Sequence, residues 1–151
     1  MNPKEVLFWS IALPGFGQLL NKKYIKGIIL VALEFLINVQ GNFNEIIRLS
    51  FIGETHLAFQ QADLGWLMFY PCLYFFAIWD AYKDAGGAKN SYSFLPFVFC
   101  AYTVTVGVMY SSKVFVLGVF LGPVWLPMIS VIPGIILGLL VKKVLRKFDG
   151  E

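Results

Sequence analysis

Apolar residues in this chain come in long runs rather than in stripes of period 3.6 or 2. A run of about 20 is what a helix needs to cross the roughly 30 Å hydrocarbon core of a bilayer. Three runs are clear: residues 24–39 (YIKGIILVALEFLINV), 64–79 (LGWLMFYPCLYFFAIW) and 94–110 (FLPFVFCAYTVTVGVMY). A fourth stretch, 114–141, is too long for one upright span and too short for two with a turn. Gly122-Pro123, Pro127 and Pro133-Gly134 interrupt it. The pattern predicts a short outer segment up to Gly122, then a span from about 125 to 141.

The opening stretch differs. Between Glu5 and Lys22 lie 16 residues, about 24 Å as a continuous helix, and Pro14-Gly15 breaks them. Broken backbone at membrane depth is tolerated only against protein or a wet cavity. Residues 6–20 therefore read as a re-entrant or interfacial helix-break-helix, with a kinked fifth span as the alternative. Gly15 and Gly17 let the chain bend, and Gln18 is expected to satisfy carbonyls freed by Pro14. The expected fold is all-α: a polytopic integral membrane helical bundle of about four spanning helices plus this broken N-terminal helix, in one membrane domain over 1–151. In the outer loop, 41–63, Asn44 is the expected N-cap of an amphipathic helix. Phe43, Ile46, Ile47 and Phe51 share its apolar face, which is expected to lie on the outer interface.

Composition agrees with a lipid environment. The chain is 58% hydrophobic and 14% charged, against about 45–50% and about 25% in soluble domains. Charge then orients it. With the first segment dipping, ten of the twelve Lys and Arg fall on one side, in the N-terminus, the 21–26 turn, the 81–93 loop and the tail; only Arg48 and Lys113 lie opposite. The positive-inside rule makes that side cytosolic, with both termini there and the cell membrane as the compartment. Lys4 is offset by Glu5 and no small-x-small site follows, so the N-terminus does not read as a secretory signal. The tail KKVLRKF suits an anionic inner leaflet. No basic folded face suggests nucleic acid as a partner. Cys72 and Cys100, both mid-span, read as inert apolar residues. Trp66, Trp79, Tyr82, Tyr92, Tyr110 and Trp125 fall near span ends, as interfacial aromatics do.

Candidate chemistry is sparse. No phosphate-binding loop, zinc pair or nucleophile elbow occurs, and Glu54, His56 and Asp63 match no metal-ligand spacing. The expectation is a non-enzymatic protein without cofactor or metal. Glu34 is costly inside a span. With Asn38 four residues on, Gly27 seven back, and Gln18, it outlines an intramembrane polar site: an ion or proton pathway, an anchor for a partner's basic group, or a carboxyl hydrogen-bonded to Asn38 or to a carbonyl freed by Pro71 or Pro133. Asp80 is expected to pair with Lys22, Lys23 or Lys26 and fix the broken helix to the bundle. Gly118-x-x-x-Gly122, Gly134-x-x-x-Gly138 and Thr103 with Gly107 permit close helix approach, within the bundle or between copies.

PGFGQLLNKKYIKG before a span, and WDAYKDA closing a later one, resemble the two-transmembrane-helix domain family of small bacterial membrane proteins. The matching residues are Pro14, Gly15, Gly17, Gln18, Lys26, Gly27, Asp80, Ala81 and Tyr82. The likeness covers roughly residues 8–87; Leu20 stands where an aromatic is usual and Lys22 where Gly is, and residues 88–151 have no counterpart. The resemblance implies an architecture more than an activity. Small size, glycine pairs and a basic tail point to a subunit or accessory factor of a membrane assembly, with a membrane-protein partner or a second copy. A small ion or solute channel around Glu34, Asn38 and Gln18 is the alternative.

Overall fold

The computed structural model describes residues 2–150. These are mostly helical, with one short β-hairpin. Helix α1 (Pro3–Ala12) opens with Pro3 in its first turn and with the Asn2 side chain accepting the Lys4 N–H. It stops at Leu13, whose extended backbone (φ −155°) is what a residue before proline adopts. Gly15, at φ +99°, turns the chain back into α2 (Phe16–Leu20). The predicted helix-break-helix is there. Helix α3 (Tyr24–Gln40) buries Gly27, Leu30, Glu34 and Ile37, a stripe at alternating three- and four-residue steps.

Residues 41–63, expected as an outer loop, are helical, as α4 (Phe43–Phe51) and α5 (Thr55–Gln61). Asn44 is not the N-cap. Asn42 holds that position at φ +54° without a side-chain cap, and Asn44 lies inside the helix. The amphipathic face is covered by protein: Ile46 and Leu49 pack with Ala58, Leu67, Val108 and Val124, while Phe51 stays exposed. The expected outer-interface contact is thus replaced by a core.

Asp63 caps α6 (Leu64–Leu67) by accepting the Trp66 N–H, and α7 (Tyr70–Asp84) follows. Helix α8 (Leu95–Tyr110) leads to strands β1 (Phe115–Val116) and β2 (Val119–Phe120), antiparallel with Phe115 opposite Phe120. Leu117 and Gly118 both take positive φ in the turn, as a two-residue hairpin loop requires. Helices α9 (Gly122–Ile129) and α10 (Val131–Phe148) complete the chain.

Among the described residues two stretches are long and apolar enough to cross a membrane, Leu64–Asp84 and Gly122–Phe148. A third arises if α3 and α4, bent by 65°, count as one. Helix α8, though apolar, has 16 residues, about 24 Å. Length alone therefore supports two to three spans, where the apolar runs predict about four.

The glycine pairs part company. A Cβ on Gly134 would stand 2.7 Å from Cys100 Cα, and one on Gly138 2.5 Å from Pro96 Cα. Thr103 Oγ1 donates to Ser130 O at 2.8 Å in the same contact. That pair lets α10 press on α8 within the chain. Gly118-x-x-x-Gly122 forms no helix face, because Gly118 sits in the hairpin turn with open space around it and Gly122 begins α9 at φ +67°.

Candidate functional site

Helix α7 carries Tyr70, Tyr74, Ala77, Ala81 and Asp84 at steps of four and three, hence on one face, with Asp80 beside them. That face meets α1, α2 and α3 in a continuous polar seam. At its end nearest Asp84, Lys26 Nζ bridges Asp80 Oδ1 (2.8 Å) and Asp84 Oδ2 (3.2 Å). Next, the fully buried Gln18 donates from Nε2 to Ala77 O (2.8 Å) and to Asp80 Oδ2 (3.1 Å). Asn21 Nδ2 donates to Ala81 O at 2.8 Å. Farther along, the Tyr74 hydroxyl donates to Ile11 O at 2.7 Å. At the far end the Tyr70 hydroxyl sits against the Glu34 carboxyl.

Small residues make this approach possible. A Cβ on Gly17 would lie 2.7 Å from Ala81 Cβ, and one on Gly27 3.1 Å from Gly15 O. Gly15, Gly17, Gln18, Lys26, Gly27, Asp80 and Ala81, seven of the residues that carry the sequence resemblance, meet in this seam.

The seam answers the sequence expectations unevenly. Asp80 pairs with Lys26; Lys22 and Lys23 form no ion pair with it, and Lys22 occupies the exposed turn at φ +61°. The site expected from Glu34, Asn38 and Gln18 is not assembled. Gln18 belongs to Asp80, and Asn38 Nδ2 donates to Asn44 Oδ1 at 3.1 Å, because the start of α4 folds back beside it. Nor does Gln18 satisfy a carbonyl left by Pro14, since its amide goes to α7; the Tyr74 hydroxyl serves a different end carbonyl of α1, Ile11 O. Tyr70, Tyr74 and Asn21 escaped the sequence reading. Their available signal was two hydroxyls four residues apart inside an apolar run, in register with Ala77, Ala81 and Asp84.

Two acceptors in the seam have no donor among the described residues: Gln18 Oε1 and Glu34 Oε2. Each costs about 1–3 kcal/mol if left so. Among those same residues no three His, Cys, Asp or Glu converge as metal ligands. His56 instead stacks on Phe120, ring centroids 4.2 Å apart. Cys100 is buried with its Sγ 3.7 Å from Val131 O, whereas Cys72 is exposed.

Away from this seam the hairpin is braced. Phe120 is buried, stacked on His56, and its carbonyl accepts the Thr55 hydroxyl at 3.2 Å. Its tip is apolar and bare: Leu117 is 99% exposed, with Phe115 and Val119 exposed beside it. Compared with protein-family models, with curated proteins and with solved structures, the chain matches none of them.

Proposed function

We propose that this chain is a non-enzymatic multi-pass protein of the cell membrane that works as a docking subunit or accessory factor of a larger membrane assembly. In this reading α3, α6–α7, α8 and α9–α10 span the bilayer, and α1–α2 dips in from the cytosolic face. Support for the dip comes from its footprint on α7. Ile11, one residue before α1 ends, reaches Tyr74, ten residues from Asp84, or about 15 Å, half the hydrocarbon core. The seam residues shared with the two-transmembrane-helix domain family belong to the same proposal.

The observation that carries the docking reading is the apolar hairpin tip. Exposed apolar clusters held on a braced scaffold mark interaction surfaces, and Leu117, Phe115 and Val119 form such a cluster at the turn. A photo-crosslinking residue at Leu117, activated in native membranes, is expected to give a discrete protein adduct that weakens at least fivefold with Phe115→Ser. Lipid adducts alone would sink the proposal.

A second reading, passage of an ion or small solute, is favoured by the unpartnered oxygens of Gln18 and Glu34 in the seam. It expects Glu34→Gln to lower flux in reconstituted liposomes at least tenfold. Equal flux in both proteins removes it.

A further inference from the structure

A cavity of about 590 Å³ lies between α1, α4, α7, α8 and the α9–α10 pair. Its lining divides by exposure. Leu67, Phe75, Val104, Val108 and Val124 are buried and make the floor. Ile11 at the end of α1, Phe51 of α4, Met128 of α9 and Ile132 of α10 are exposed and make the rim. Beyond the rim the surface stays apolar, through Ile136 and Leu140 at four-residue steps along α10. The mouth therefore opens onto a face that suits hydrocarbon, not water.

No charged side chain lines the cavity. Two hydroxyl-bearing residues belong to its wall, and both hydroxyls are engaged elsewhere: Tyr74 donates to Ile11 O, and the Tyr70 hydroxyl sits against the Glu34 carboxyl. Ordered water in such a space needs about two to four polar partners, which this wall does not offer. Left dry, the wall forfeits packing contacts in proportion to the empty volume. Pro71, Pro123 and Pro127 also line it, and their rings have no rotamers with which to fold inward. The space is thus preformed, apolar and costly to leave empty.

Size and charge select the occupant. A helix about 10 Å across fills roughly 420 Å³ per turn, so no spanning helix of a partner or of a second copy enters. One hydrocarbon chain does, in a volume inside the range of about 300–1,000 Å³ that ordinary ligand sites take. A free fatty acid would bring a carboxylate that nothing at the mouth holds, since Arg48, the cation of α4, is already paired with Glu45. A phospholipid keeps its headgroup at the interface while one chain turns in. We propose that this cavity binds one acyl chain of a bilayer phospholipid, which lies along Leu67, Val108 and Val124 and packs α4, α8 and α9 together from within. The proposal rests on the membrane reading above and is independent of the docking surface on the hairpin.

Its test places the full chain in phosphatidylcholine vesicles doped with a phosphatidylcholine that carries a diazirine on one acyl chain. Adducts formed on irradiation are mapped by peptide mass spectrometry. They are expected on the buried Val104, Val108 and Val124 as well as on the exposed Ile136 and Leu140. Val124→Trp should lower the floor adducts at least tenfold and leave those on α10 unchanged; Val104→Phe fills the same space should the first variant fail to fold. Floor adducts that survive both substitutions overturn the proposal. Adducts on Ile136 and Leu140 with none on the floor overturn it too, while leaving the membrane reading in place; no adducts on either overturn both. A diazirine fatty acid that reaches the floor where the phospholipid does not also overturns it.

Discussion

Asp80 is the residue on which most of the seam converges. Its two carboxylate oxygens hold different elements, Oδ1 taking Lys26 of α3 and Oδ2 taking Gln18 of α2. Removing the charge should therefore loosen both. Lys26→Met should cost less, on the order of 1 kcal/mol, since its side chain is half exposed and screened by water. Asp80→Ala should cost more than that, because it also strips a partner from the buried Gln18 amide. Thermal unfolding of the two single variants and the double variant should show a coupling of roughly 0.5–3 kcal/mol; strict additivity would show that the 2.8 Å contact contributes nothing. That Asp80 would pair with a lysine of the 22–26 turn was legible in the sequence, because both fall at ends of their apolar runs; that Lys26 is the one was not. Gln18 was not assigned correctly, since its partner depends on how far α2 doubles back, and that depth is written in Gly17 meeting Ala81 rather than in any local pattern.

At the scale of elements, identical glycine spacing produced opposite structures. Gly134 and Gly138 lie in a regular helix against backbone atoms of α8, whereas Gly118 lies in a two-residue turn. The difference was not legible in the sequence: FVLGVF is as continuously apolar as the residues around Gly134 and Gly138, and Leu-Gly is not one of the dipeptides that mark a two-residue hairpin. Substitution should separate the two roles. A Cβ at position 138 would fall 2.5 Å from Pro96 Cα, and overpacking against backbone costs typically 1–3 kcal/mol or more. At position 118 the surroundings are open and only the left-handed backbone resists, by about 1–2 kcal/mol. Gly138→Ala should thus lower the unfolding temperature more than Gly118→Ala, without changing the oligomeric state seen by multi-angle scattering. A change of oligomeric state would place the Gly138 face between copies instead.

For the molecule as a whole, charge and length make different demands. The basic residues divide ten to two across the proposed membrane plane, which fits four crossings with both termini inside. Yet α8, at 16 residues, is short of the hydrocarbon core. Under the proposed topology, local thinning of the bilayer and snorkelling of the flanking Lys89 and Lys113 would reconcile the two at modest cost. A first segment that spans, rather than dips, moves only Lys4 across, so the charge rule alone decides nothing about α1–α2. Geometry favours the dip, because α1 and α2 touch at Gly17 beside Ala81 and the returning Asn21 bonds Ala81 O on that same part of α7. Single cysteines at positions 4, 89 and 117, in a background with Cys72 and Cys100 replaced, test this directly with a membrane-impermeant maleimide. Intact cells should label position 117 alone, and inside-out vesicles should label 4 and 89 alone. If intact cells label position 4 while 89 stays protected, α1–α2 crosses the membrane; the seam on α7 would then have to hold an odd fifth span rather than a hairpin that turns back at Gly15.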